Sequence, residues 1–121
     1  MSFKFEKLII WQIAMDFGEE INTMTLGFPK KEIYNLSSQI MRATDSIALN
    51  ISEGSIEQSN AEFNRFLGYS VRSLAEVVTS LHKAKRRNYI EELEFNKKYE
   101  IAFNLMNMML AFKNKIKNAN N

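Results

Sequence analysis

Residues Ile47–Ser55 read IALNISEGS, and how this stretch ends decides the fold. Working backward from it, Ile33, Leu36, Ile40, Ala43 and Ile47 recur at steps of three and four, the helical spacing. That stripe predicts a helix from about Pro29 to Glu53, with Asn50 or Ile51 next in line. Pro29 suits a first helical turn, where its missing N–H would be unpaired anyway. Gly54 is expected as a left-handed cap that stops the helix. Glu53 then faces the negative end of the helix macrodipole, at a cost of a few tenths of a kcal/mol. A carboxylate held there is a catalytic acid, a ligand or part of a joint.

Three further amphipathic segments flank this one. A first helix is expected over about 6–26, because Ile10, Ala14, Phe17, Ile21 and Met24 share one face. The LGFPKK stretch breaks it. A third helix is expected over about 59–87. It opens on SNAE, a capping box in which Ser59 and Glu62 satisfy each other's backbone N–H groups. Its stripe is Phe63, Leu67, Ser70, Leu74, Val77, Leu81 and Ala84, with small residues where helices approach closely. A fourth is expected over about 89–117, with Glu91 and Glu92 in its first turn and lysines in its last, both matching the dipole. Residues 118–121 read as a fraying tail.

Short loops make neighbouring helices antiparallel. The expected fold is therefore all-α, an antiparallel up-down-up-down four-helix bundle, in one domain spanning 1–121. Both termini and the SEGS loop should share one end, and GFPKK and KAKRRN the other. The single proline and four glycines leave few breaks, which argues against many short strands.

Two helices carry more apolar surface than a core needs. A core-facing stripe spans a little over 100°. On the fourth helix the arc from Met108 through Phe112, Met109, Met106 and Tyr99 to Phe103 covers roughly 220° at helical spacing. The first helix repeats the excess over Leu8–Met15, where Gln12 alone is polar. A contiguous apolar patch of this kind marks an interface, and self-association is its simplest use. The expected contacts between copies are Leu8, Ile9, Trp11, Met15, Phe103, Met108, Leu110 and Phe112.

Charge is uneven along the chain. Residues 1–40 carry four bases and five acids, residues 41–79 three and five, and residues 80–121 nine and four. Lys83, Lys85, Arg86 and Arg87, with Lys30 and Lys31 expected at the same end, are candidate phosphate contacts. The plainer reading is that the cluster complements the C-terminal dipole of the third helix.

Most recognisable chemistries are missing. Cysteine is absent, which removes thiolate metal sites and disulfides and fits a reducing cytoplasm. The single histidine, His82, follows Thr79 by three residues, so no Glu-x-x-His di-iron motif exists. Arg72 lies ten residues before His82, unlike the closer spacing of toxin-type helical ribonucleases. His82 is expected to be structural or solvated. Neither a P-loop nor a Rossmann glycine pattern is present. No run approaches the ~18 apolar residues of a membrane span, and LIIWQIAM lacks a cleavage site. The chain reads as soluble and unprocessed, not an enzyme, without cofactor or metal.

LSSQIMRATDSIALNISEG and EFNRFLGYSVRSLAE together resemble one family. It is the four-helix bundle family first noted as reading frames inside intervening sequences of bacterial 23S ribosomal RNA genes. The resemblance rests on Gln39, Arg42, Ala43, Ser46, Ile47, Asn50, Ile51, Glu53, Gly54, Phe63, Ser73, Leu74 and Glu76, and covers nearly the whole chain. Ser52 stands where alanine is usual, and Arg72 where a glycine often precedes the serine. The resemblance implies a bundle with no known enzymatic activity. Relatives include the accessory protein of diversity-generating retroelements, which implies a pentameric ring able to bind nucleic acid and a polymerase-type partner.

The opening stretch then reads as a joint built by Asn50, Glu53, Gly54, Ser73 and Glu76. Asn50 is expected to bond groups of the third helix, Glu53 to accept N–H groups near the loop, and Glu76 to pair with a base on a neighbouring helix. The alternative is a partner-binding corner. Two functions stay open: a nucleic-acid binder working through the basic end, for RNA or DNA, and a scaffold for another protein, suited by the adaptable methionines of the fourth helix.

Overall fold

The computed structural model describes residues 1–119. Four α-helices follow in order: α1 (Ile9–Thr25), α2 (Leu36–Ser55), α3 (Asn60–Arg86) and α4 (Glu92–Lys117). Short 3-10 turns occupy Lys4–Lys7 and Lys30–Glu32. Sequential helices pack antiparallel and α1 closes against α4, giving the expected all-α bundle. Among the described residues there is no strand, and no helix is long and apolar enough to cross a membrane.

The core follows the heptad-like stripes. Ile10, Ala14, Phe17, Ile21 and Met24 are buried from α1, and Leu36, Ile40, Ala43, Ile47 and Ile51 from α2. The whole α3 stripe, Phe63 through Ala84, is buried as well. Each Leu or Ile taken fully out of water contributes about 1.5–3 kcal/mol. On α4 only Phe95, Lys98, Ala102, Leu105 and Met109 are buried, a narrow seam at steps of three and four. The rest of its apolar arc is half-buried or exposed.

Several boundaries differ from the sequence reading. The first helix starts at Ile9, after a separate turn in which the Phe3 N–H donates to Glu6 at 2.8 Å and Phe5 packs on Trp11. The second starts at Leu36, not Pro29. Pro29 caps a 3-10 turn, and Ile33, expected in the core stripe, is exposed. The reason is Glu32. Its buried carboxylate accepts the Leu36 N–H at 3.3 Å and the Asn35 amide at 3.1 Å, so α2 begins on an acid placed four residues upstream. A carboxylate suits the positive end of a helix.

The capping box at Ser59 is half made: its hydroxyl accepts the Glu62 N–H at 3.2 Å, while the Glu62 carboxylate is drawn to Arg65 at 2.6 Å. Helix α3 ends in a Schellman motif. Asn88 takes the left-handed conformation at φ 61°, the Tyr89 N–H reaches the Ala84 carbonyl and the Asn88 N–H reaches that of Lys85. Asn88 therefore closes α3, and α4 starts three residues later than expected, at Glu92. Of the tail, Asn118 caps α4, and residues 120 and 121 lie outside the described residues.

Candidate functional site

The joint between α2 and α3 is built differently from the sequence reading. Gly54 is not a left-handed cap: no glycine has positive φ, and α2 runs through it to Ser55. It is buried, and a Cβ there would stand 2.7 Å from the Phe66 Cβ and 2.8 Å from Phe63 Cδ1. Glycine is required by close approach of α3, not by a turn. Asn50 bonds within its own helix, donating to the Ser46 carbonyl and hydroxyl, each at 2.9 Å. The link across is made by serines. The Ser73 hydroxyl meets that of Ser46 at 2.9 Å, and the buried Ser70 hydroxyl donates to the Ile47 carbonyl at 2.8 Å.

Glu53 and Glu76 depart from the joint reading. Both are exposed, and neither joins a hydrogen bond or ion pair among the described residues. Glu53 near the end of α2 and Glu76 on α3, beside the groove it shares with α2, are free to meet something else. His82 is exposed too, its ring edge-on to Phe95 at 4.9 Å and near Tyr99 at 6.1 Å. Among the described residues no group of three or more His, Asp or Glu is placed to hold a metal.

The basic residues gather at one end, as their positions imply, but they are not equivalent. Arg87 donates to Glu32 at 3.1 Å, which ties the α3–α4 loop to the turn carrying Lys30 and Lys31. Lys85 stands over the Phe95 ring at 4.6 Å and 3.8 Å from Glu92. Those two cations serve the fold. Lys30, Lys31, Lys83 and Arg86 are exposed and unpaired among the described residues.

Glu32 is the hub of this end and was missed in the sequence, where a carboxylate beside two lysines reads as solvated. Its side chain is 5% exposed. It also accepts the Tyr89 hydroxyl at 2.6 Å. That bond, first, then the Leu36 N–H, Arg87 and Asn35, hold its carboxyl below the ordinary range against burial, which pushes the other way. The same bond, then burial, raises the Tyr89 phenol. Two other ties went unseen. Buried Lys98 meets Glu94 at 3.2 Å and Glu20 of α1 at 3.5 Å. Asn64 and Lys113 exchange bonds: the ammonium donates to the Asn64 side-chain and backbone oxygens at 2.6 and 2.9 Å, and the Asn64 amide donates to the Lys113 carbonyl at 2.8 Å. Burial, then Lys117, lowers the Lys113 ammonium.

The apolar flank splits in two. Leu8, Trp11, Met108 and Phe112 are half-buried and pack on the core. Ile9 is 62% exposed, Phe103 56%, Leu110 45% and Met15 44%. An open apolar cleft of about 480 Å³ lies between the start of α1 and the end of α4, lined by Leu8, Ile9, Ile10, Met108 and Phe112.

This geometry defines a four-helix bundle protein with one basic end and one apolar flank. The model of the 23S rRNA-intervening sequence protein family matches residues 6–111, and the chain belongs to that family. Its fold is similar to the crystal structure of a protein of unknown function from the S23 ribosomal protein family of Bacteroides thetaiotaomicron. The two are 19% identical with a TM-score of 0.78, covering 87% of this chain and 98% of that one. A search of curated proteins gave no match.

Proposed function

We propose that the chain is a non-enzymatic, cytoplasmic homo-oligomer, a ring of five copies, that binds RNA or DNA through its basic end. The observation that carries this reading is the set of cations unpaired among the described residues, Lys30, Lys31, Lys83 and Arg86, on an end where Arg87 and Lys85 are already engaged by Glu32 and Glu92. A ring repeats the set, and multivalency raises avidity without new contacts. The exposed Ile9, Met15, Phe103 and Leu110 support contact between copies.

Filter binding of single-stranded RNA and duplex DNA between low and moderate salt tests the proposal. Affinity should fall linearly on a log–log plot, by roughly 0.7–0.9 per phosphate neutralised. Replacing Lys30, Lys31, Lys83 and Arg86 by alanine should flatten that slope. Absence of salt-sensitive binding to either nucleic acid rejects it. A protein scaffold is the second reading, favoured by the methionine and aromatic surface of α4, where Met106 and Met108 are half-buried and Phe103 is exposed. A protein that co-purifies in fixed ratio, without nucleic-acid binding, would select it.

A further inference from the structure

A groove of about 590 Å³ opens between α2 and α3, in the size range of ligand sites. Gln39 and Arg42 stand on its α2 wall, Glu76 and Lys83 on its α3 wall, and Ser80 lines its floor. Hydroxyls inside helices commonly return to the carbonyl four residues back. Thr44, Ser52 and Thr79 do so here, at 2.6, 2.7 and 3.0 Å. Ser80 does not. It is 6% exposed, yet its hydroxyl has no hydrogen-bond partner among the described residues. Among the described residues no polar side-chain atom is both sealed and unsatisfied, so the Ser80 oxygen stays open toward the groove it lines. Through that groove the nearly buried hydroxyl is available to a group that arrives from outside.

The charges around it are in the same condition. Arg42, Glu76 and Lys83 line one groove, and none joins an ion pair among the described residues. Elsewhere Arg65 closes on Glu62 at 2.6 Å and Arg87 on Glu32 at 3.1 Å. Two cations and a free hydroxyl donor suit a phosphate oxyanion. A lone carboxylate among them would repel that anion, unless the ligand also brings a hydroxyl or amine for it to accept.

We propose that this groove binds one ribonucleotide unit. Arg42 and Lys83 hold the phosphate, with the Ser80 hydroxyl donating to it, and Glu76 accepts the ribose 2′-hydroxyl, the group that distinguishes RNA from DNA. The inference rests on the nucleic-acid reading above, since Lys83 belongs both to the basic end and to the groove, and it names RNA as the preferred polymer. The same chemistry is offered by a free ribonucleotide, which the test separates.

Fluorescence anisotropy with a labelled single-stranded RNA 12-mer and its DNA counterpart, and calorimetry with adenosine 5′-monophosphate, make the test. RNA should bind about tenfold more tightly than DNA, and Glu76→Gln should bring the two within about threefold by weakening RNA alone. Ser80→Ala and Arg42→Gln should weaken RNA binding about fivefold or more; Arg42 and Glu76 are exposed, so their variants keep the fold. RNA binding that ignores all three substitutions, but falls in Lys30→Ala/Lys31→Ala, overturns the groove and leaves the basic end standing. Adenosine monophosphate bound and lost in Ser80→Ala, without polymer binding, supports the groove and rejects the polymer reading. No binding of any probe overturns the inference.

Discussion

Gly54 and Phe66 meet where α2 and α3 cross, so closely that a Cβ on Gly54 would lie 2.7 Å from the Phe66 Cβ. Alanine favours a helix over glycine by about 1 kcal/mol. Overpacking a buried contact costs about 1–3 kcal/mol, and here Phe63 crowds the same point at 2.8 Å. Gly54→Ala is therefore expected to lower stability on balance, read as an earlier midpoint in urea denaturation. An unchanged or later midpoint would mean the helices part at no cost.

Ser70 pins the same pair of helices. Removing its hydroxyl in Ser70→Ala takes away the bond to the Ile47 carbonyl, a loss of about 0.5–1.5 kcal/mol. Ser70→Val adds bulk at a position with no exposure, so it should cost more than the alanine variant. Thermal melts of the two variants side by side check the order.

Stability at low pH should follow Glu32. Its carboxyl titrates below the ordinary value of 4.5 in the fold, so the unfolded chain takes up the proton first. The stabilisation is complete above the ordinary carboxyl range and is lost as pH falls toward the folded value. The raised Tyr89 phenol works oppositely: its contribution holds below the ordinary value of 10.0 and fades as pH climbs past it. Glu32→Gln should flatten the decline in melting temperature below about pH 5. A wild-type steepness in that variant would assign the acid limb to other carboxylates.

Asn64 and Lys113 form a closed exchange between α3 and α4. Asn64→Ala strands the part-buried ammonium and is expected to cost about 1–3 kcal/mol, the penalty of leaving a polar group unmet. Lys113→Met removes the charge together with its need and should cost less. Adding Lys113→Met to Asn64→Ala should recover part of the loss, which a double-mutant cycle measures.

The apolar flank predicts a change of assembly. Phe103→Lys and Ile9→Glu place charges on exposed positions that a sister chain is proposed to cover. Light scattering should show the ring falling to single chains with the circular dichroism of a folded bundle. A variant of unchanged mass would release this flank from the interface.

The helices were legible because their stripes repeat. Leu67, Leu74, Val77 and Leu81 could be read at once, and all are buried. The Ser59 cap was legible too, since its partner is three residues away. What stayed hidden depends on contacts distant in the chain. Glu32 reads as one more surface acid until Tyr89, 57 residues on, comes to meet it. Gly54 is punctuation in one dimension, and only the approach of Phe66 shows that the helix passes through it. Asn88 looks like an opening cap for the fourth helix, because nothing local says that the third still needs closing. Of the candidate sites, the basic end was visible as composition. Which of its cations remain unspent, and that Glu76 is unpaired, needed three dimensions.

The serine bridges from α3 to α2 have an unequal counterpart. α1 is tied to α4 by a polar link through Lys98 and Glu20, part of it at the surface. In deuterium labelling, amide protons around Ile47 and Leu74 should be the last to trade with solvent. Those of α1 should trade early, peeling away as a unit while the central hairpin endures. A bundle that exchanges in this order is a durable pair of helices wearing a detachable first strap.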